Sequence, residues 1–126
     1  MYYRRELILN LLDRFDGVLS AKRFQKLLFL FTRLQDDKSF DFVPFKYGCY
    51  SFQAGQDLHT MAKQALLDIE DTLDGNVIHL RAIPEEASGL TLMDSSILDK
   101  IHSDFHALSQ DELIRYTYVK YPFYAI

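Results

Sequence analysis

Leu7, Ile8, Leu11, Leu12 and Phe15 fall on one stripe of an amphipathic helix, with Arg4, Arg5, Asn10, Asp13 and Arg14 facing elsewhere. Asp16-Gly17 stops it, Gly17 standing where a left-handed residue closes a helix. Ser20 caps a second helix, expected from Ala21 to about Gln35. Its middle, Leu27 to Phe31, is apolar all round, which marks a helix buried on several sides. Lys22, Arg23, Lys26 and Arg33 gather towards its ends, and Asp36 to Ser39 form a polar loop.

The stretch from Phe42 to Leu67 reads as a corner. Pro44 favours extended backbone before it, and Gly48 sits in a sharp turn, Tyr47-Gly48-Cys49. Ser51 caps a third helix, expected from about Phe52 to Ala65. Phe52, Leu58, Met61, Ala62 and Ala65 make a narrow inward stripe; Gln53, Gln56, Asp57, His59, Thr60, Lys63 and Gln64 form a polar, nearly uncharged face. Asp68–Leu73 and Val77–Ala82 then flank Asp74-Gly75-Asn76, the turn chemistry of a β-hairpin. Helix, helix, turn, helix and hairpin in this order is the layout of a winged helix.

Pro84 to Leu92 reads as a surface loop. Asp94 or Ser95 caps a fourth helix with the stripe Ile97, Leu98, Ile101, Phe105 and Leu108. Ser109 and Glu112 match a capping box that opens a fifth helix through Leu113, Ile114, Thr117 and Tyr118, ended by Pro122. The expected architecture is a single α+β domain, mainly helical and winged-helix-like, with a small antiparallel hairpin and two C-terminal helices. The apolar end Phe123-Tyr124-Ala125-Ile126 fits docking onto the domain or the N-terminal part of a longer protein.

Composition narrows the class. In 126 residues, 48% are apolar and 25% charged, the balance of a soluble globular domain able to bury a core. No apolar run approaches the ~20 residues of a membrane span. Met1 to Leu7 lacks the apolar region of a signal peptide. Cys49, the one cysteine, has no internal disulfide partner, which fits a cytoplasmic location. The net charge of −4 divides unevenly: residues 1–50 carry nine Lys and Arg against six Asp and Glu, residues 51–126 five against twelve. A basic first half attracts an acidic partner or a phosphate backbone; the acidic second half repels the latter.

Arg23-Phe24-Gln25-Lys26-Leu27-Leu28-Phe29-Leu30 resembles the "LQKLLYL" helix of the SocA-like, or Panacea, antitoxin domains of bacteria and phages. Phe45-Lys46-Tyr47-Gly48-Cys49-Tyr50 resembles their "YGP" turn, and Ser109 to Pro122 their "LS…EL…TH…P" segment. Cys49 stands where Pro is common, Thr117-Tyr118 where Thr-His is common, and Pro122-Phe123 replaces Pro-Trp, so the chain resembles a divergent member. The resemblance implies a domain that neutralises a toxin by binding it, with no chemistry of its own.

Candidate chemistry is sparse. Cys49 beside Gly48 reads as a small packed residue rather than a nucleophile. Asp99, His102 and His106 share a helix face at metal-ligand spacing, but no fourth ligand accompanies them, and no metal or other cofactor is expected. No phosphate loop, nucleophile elbow or carboxylate pair appears, so no enzyme is expected. The expected function is a non-enzymatic interaction domain, antitoxin-like, that neutralises or recruits a partner protein (a toxin or effector) in a toxin–antitoxin or phage-defence system. Tyr47, Gly48, Tyr50, Phe52, Gln53 and Gln56 form its expected partner-binding surface, with Tyr47, Tyr50, Phe52 and Gln56 at least partly exposed and Phe42 and Phe45 turned inward. The alternative is a DNA-binding regulator that reads bases with Gln53, Gln56, Thr60 and Lys63.

Overall fold

A computed structural model describes residues 1–46 and 48–124. Helix α1 (Tyr3–Arg14) leads through a left-handed pair, Asp16 (φ 61) and Gly17 (φ 80), into a short strand β1 (Val18–Ser20). Ser20 then caps α2 (Ala21–Leu34), its hydroxyl accepting the Arg23 N–H. Strands β2 (Val43–Phe45) and β3 (Gly48–Tyr50) follow, then α3 (Phe52–Lys63), β4 (Leu67–Thr72), β5 (Gly75–Leu80), α4 (Leu92–Phe105) and α5 (Gln110–Lys120). The chain is α+β, and among the described residues no helix is long and apolar enough to cross a membrane.

Helix α2 is the centre. Every residue from Phe24 to Thr32 is buried, because an all-round apolar sequence needs neighbours on every side. It packs against α1, α4, α5 and the sheet. Leu7, Ile8, Leu11 and Leu12 of α1 and Ile97, Leu98 and Ile101 of α4 turn their stripes into the same core. Ser109 accepts the Glu112 N–H while Glu112 accepts the Ser109 N–H, completing the capping box of α5.

Two antiparallel sheets frame this bundle. β5 lies between β1 and β4, with Leu19 opposite Ile78 and Ile69 opposite the same Ile78. β2 and β3 form a separate hairpin in which Val43 faces Tyr50 and Phe45 faces Gly48.

Several boundaries differ from the sequence expectation, each for a local reason. β1 is too short to show alternation and exists because β5 supplies its partner edge. In the β4–β5 hairpin Thr72 pairs Gly75, so the turn is Leu73-Asp74 rather than Asp74-Gly75-Asn76; Thr72 Oγ1 closes it, donating to the Gly75 carbonyl and accepting the Asp74 N–H. α3 ends at Lys63 because Ala65 turns left-handed (φ 59), which carries Ala65 out of the inward stripe to an exposed position. α4 starts earlier than expected, and neither Asp94 nor Ser95 caps it. Thr91 does, accepting the Asp94 N–H at 3.1 Å. The Asp94 carboxylate instead ties the helix to Tyr3 (2.6 Å) and Gln35 (3.2 Å).

Candidate functional site

The expected partner surface lies where β2, β3 and the start of α3 meet. Two consecutive polar residues of the buried helix α2 hold this corner. Gln25 acts on the Ser51 backbone like a neighbouring strand: Oε1 accepts the Ser51 N–H at 2.8 Å, and Nε2 donates to the Ser51 carbonyl at 3.1 Å. Lys26 donates from Nζ to the Cys49 carbonyl at 2.9 Å. Ser51, so fixed, caps α3 by accepting the Ala54 N–H at 3.2 Å. Sequence reading placed Gln25 in no role and Lys26 among flanking cations; both are buried. Their signal was polarity inside an otherwise apolar run, which in a core demands a hydrogen-bond partner.

Gly48 is required at the turn. Its φ of +96 is left-handed, and a Cβ there would come within 3.1 Å of the Tyr118 ring and 3.4 Å of Lys26 Nζ. Gly48 is therefore a buried backbone element of the site rather than an exposed contact.

Above it three rings form a mutual cluster. Phe45 meets Tyr50 at 5.5 Å and Phe52 at 5.2 Å, and Tyr50 meets Phe52 edge-on at 4.8 Å. Phe52 is 56% exposed, Phe45 38% exposed and Tyr50 half-buried. Phe45 thus faces outward, correcting the inward expectation. Its cross-strand neighbour is Gly48, which offers no side chain to cover it, so the ring leans along the surface onto Tyr50 and Phe52. Phe42 does turn in, edge-on to Phe29 at 5.3 Å. Phe52 leaves the inward stripe assigned to it. Tyr47 lies outside the described residues.

Beside this cluster opens a cavity of about 280 Å³, bounded by Lys26 and Gln25 on α2, by β3, and by Asp74 to Asn76 on the hairpin tip. The Ser20 hydroxyl donates to the Gln110 amide oxygen at its rim, joining α2 to α5.

The polar face of α3 is only partly as expected. Gln53, Gln56 and Lys63 are exposed and Thr60 half-buried, and Gln53 accepts the Asp41 N–H at 3.0 Å. Asp57 does not share that face. Its buried carboxylate takes Arg4 Nε at 2.6 Å and Arg5 Nε at 2.8 Å, fastening α3 to the start of α1.

Cys49 is buried, and burial raises its thiol pKa, with nearby Lys26 opposing the shift. The Asp99, His102 and His106 set does not converge. Asp99 pairs with Arg14 at 2.9 Å, His106 Nδ1 contacts the His102 carbonyl at 2.9 Å, and the two imidazoles stack at 4.8 Å. Among the described residues no group of three or more His, Cys, Asp or Glu is placed to hold a metal ion.

No protein-family model matches the chain, and comparison with curated proteins finds no match either.

Proposed function

We propose that this chain is a non-enzymatic protein-interaction domain, antitoxin-like, that neutralises or recruits a partner protein in a toxin–antitoxin or phage-defence setting. The observation that carries the reading is the Phe45–Tyr50–Phe52 cluster, three contacting rings, two exposed and Tyr50 half-buried, at a corner held from beneath by buried hydrogen bonds. Aromatic rings on a rigid support give large contact area at little entropic cost, and such residues commonly dominate binding energy. The resemblance of the Arg23–Leu30, Phe45–Tyr50 and Ser109–Pro122 segments to SocA-like antitoxin domains supports the same class.

The test is Phe52→Ala and, separately, Gln56→Glu, followed by thermal melting and pull-down from the native host. Phe52 and Gln56 are exposed, so stability should stay within about 0.5 kcal/mol of wild type while the captured partner is lost. A collapsed melt, or a wild-type domain that captures nothing, overturns the docking surface.

A second reading, a winged-helix DNA-binding regulator, draws support from the sheet. The strand after the first helix pairs with the last strand of the hairpin, so the hairpin is anchored in one sheet of order β1-β5-β4, and α3 would be the recognition helix. Charge argues against it. Arg4 and Arg5 are engaged by Asp57, and the hairpin that would serve as the wing carries Asp68, Glu70, Asp71 and Asp74. If the regulator reading holds, duplex affinity falls steeply with salt, and Lys63→Ala lowers that slope by about one. No duplex shift at low salt removes it.

A further inference from the structure

The cavity beside the aromatic cluster is lined by a buried cation. Lys26 is 3% exposed, and its ammonium donates to the Cys49 carbonyl. Among the described residues no carboxylate lies within ion-pair distance of it. An ammonium has three donors, and among the described residues the Cys49 carbonyl satisfies one of them. Burial accordingly lowers the Lys26 pKa, with the Cys49 thiol opposing and Lys22 adding a smaller repulsion. Packing alone would be met as well by an apolar side chain of similar volume. Gly48, Cys49 and Tyr50 line the cavity together with Lys26.

We propose that this pocket receives the C-terminal residue of the partner protein, its free carboxylate on the Lys26 ammonium and its apolar side chain against Phe45, Tyr50 and Phe52. The inference rests on the docking reading above and names what is docked. Carboxylate and apolar body occur together on one residue only at a chain end; an internal Asp or Glu brings the first without the second. A free amino acid would carry an ammonium that Lys26 repels. Lys22 and Asp74 also line the cavity, so the rest of its wall carries charge of both signs. A cavity of about 280 Å³ falls at the low end of ligand sites, which suits one residue better than a cofactor.

The experiment is an NMR titration of the isotope-labelled chain with two N-acetylated peptides, Gly-Ser-Gly-Leu and Gly-Ser-Gly-Phe, each as free acid and as C-terminal amide, with hexanoate as a further arm. The free acids should shift the Gly48, Cys49 and Tyr50 amides, and the amidated peptides should bind at least about tenfold more weakly. Lys26→Met should remove that preference. The acid-against-amide comparison on the wild-type chain stands even if this variant fails to fold. Equal binding of acid and amide, or no shift at the pocket, overturns the carboxylate assignment. Hexanoate binding as tightly as the peptides assigns the pocket to small carboxylic acids and overturns the chain-end assignment. Partner capture that survives Lys26→Met but is lost with Phe52→Ala keeps the docking surface and overturns this inference alone.

Discussion

Replacing Arg4 and Arg5 together by Met should destabilise the fold by about 3–5 kcal/mol, the range for a buried charge stripped of its partners. The charge left behind is Asp57, whose side chain has no exposure, while Arg4 and Arg5 keep 34% and 18% of theirs. The asymmetry makes the prediction specific. Asp57→Asn leaves two guanidiniums that water still reaches and should cost about 1–3 kcal/mol, the penalty of weakened hydrogen bonds. Either single Arg→Met leaves Asp57 with one cation, so the two singles should fall short of the double by a coupling of about 0.5–3 kcal/mol. Adding Asp57→Asn to the double should recover much of the loss, since no buried charge then remains. Urea unfolding of the five variants and wild type reads all of these. A double variant within about 1 kcal/mol of wild type would mean that water screens the site and that α3 is held to α1 by apolar contact alone.

The same triad shows why some of this molecule was legible in the sequence and some was not. The stripes of α1 and α4, the caps at Ser20 and Ser51 and the capping box of α5 are local patterns, and each appears where its spacing placed it. Asp57 sits on a polar helix stretch beside Gln56 and reads as solvated, because the arginines that bury it arrive from more than fifty residues upstream. Lys26 reads as a flanking cation for the same reason; only the β3 carbonyl, brought in by the fold, makes it internal. β1 is three residues long and owes its existence to β5. At the corner the turn was legible from Gly48, as were the sides that Phe42, Tyr50 and Phe52 take, but the side of Phe45 was not. That depends on cross-strand register, which sets Phe45 opposite a residue with no side chain. The candidate site was therefore readable as a place before it was readable as an arrangement: Tyr50, Phe52 and Gly48 belong to it, yet the two α2 side chains beneath it were missed.

Those side chains make the core prediction a functional one. Leu28 is fully buried at the middle of α2, and Leu28→Ala should cost about 2–5 kcal/mol, the loss of transfer energy plus the cavity left where neighbours cannot close in. Leu34, on the last turn of the same helix and 43% exposed, provides the control. Leu34→Ala should stay within about 0.5 kcal/mol of wild type, because little apolar surface returns to water. Gln25 and Lys26 hold Ser51 and Cys49 from this helix, so loosening α2 should reach the corner before the chain unfolds globally. Amide exchange at Cys49, Ser51 and Ala54 should quicken in Leu28→Ala and stay unchanged in Leu34→Ala, since local opening follows the free energy of the contacts that hold a segment. A loss under about 1 kcal/mol for Leu28→Ala would make α2 peripheral. A full loss with unchanged exchange at Ser51 would show that the corner is held by β2 and α3 themselves, and that the Gln25 and Lys26 hydrogen bonds contribute little to its order.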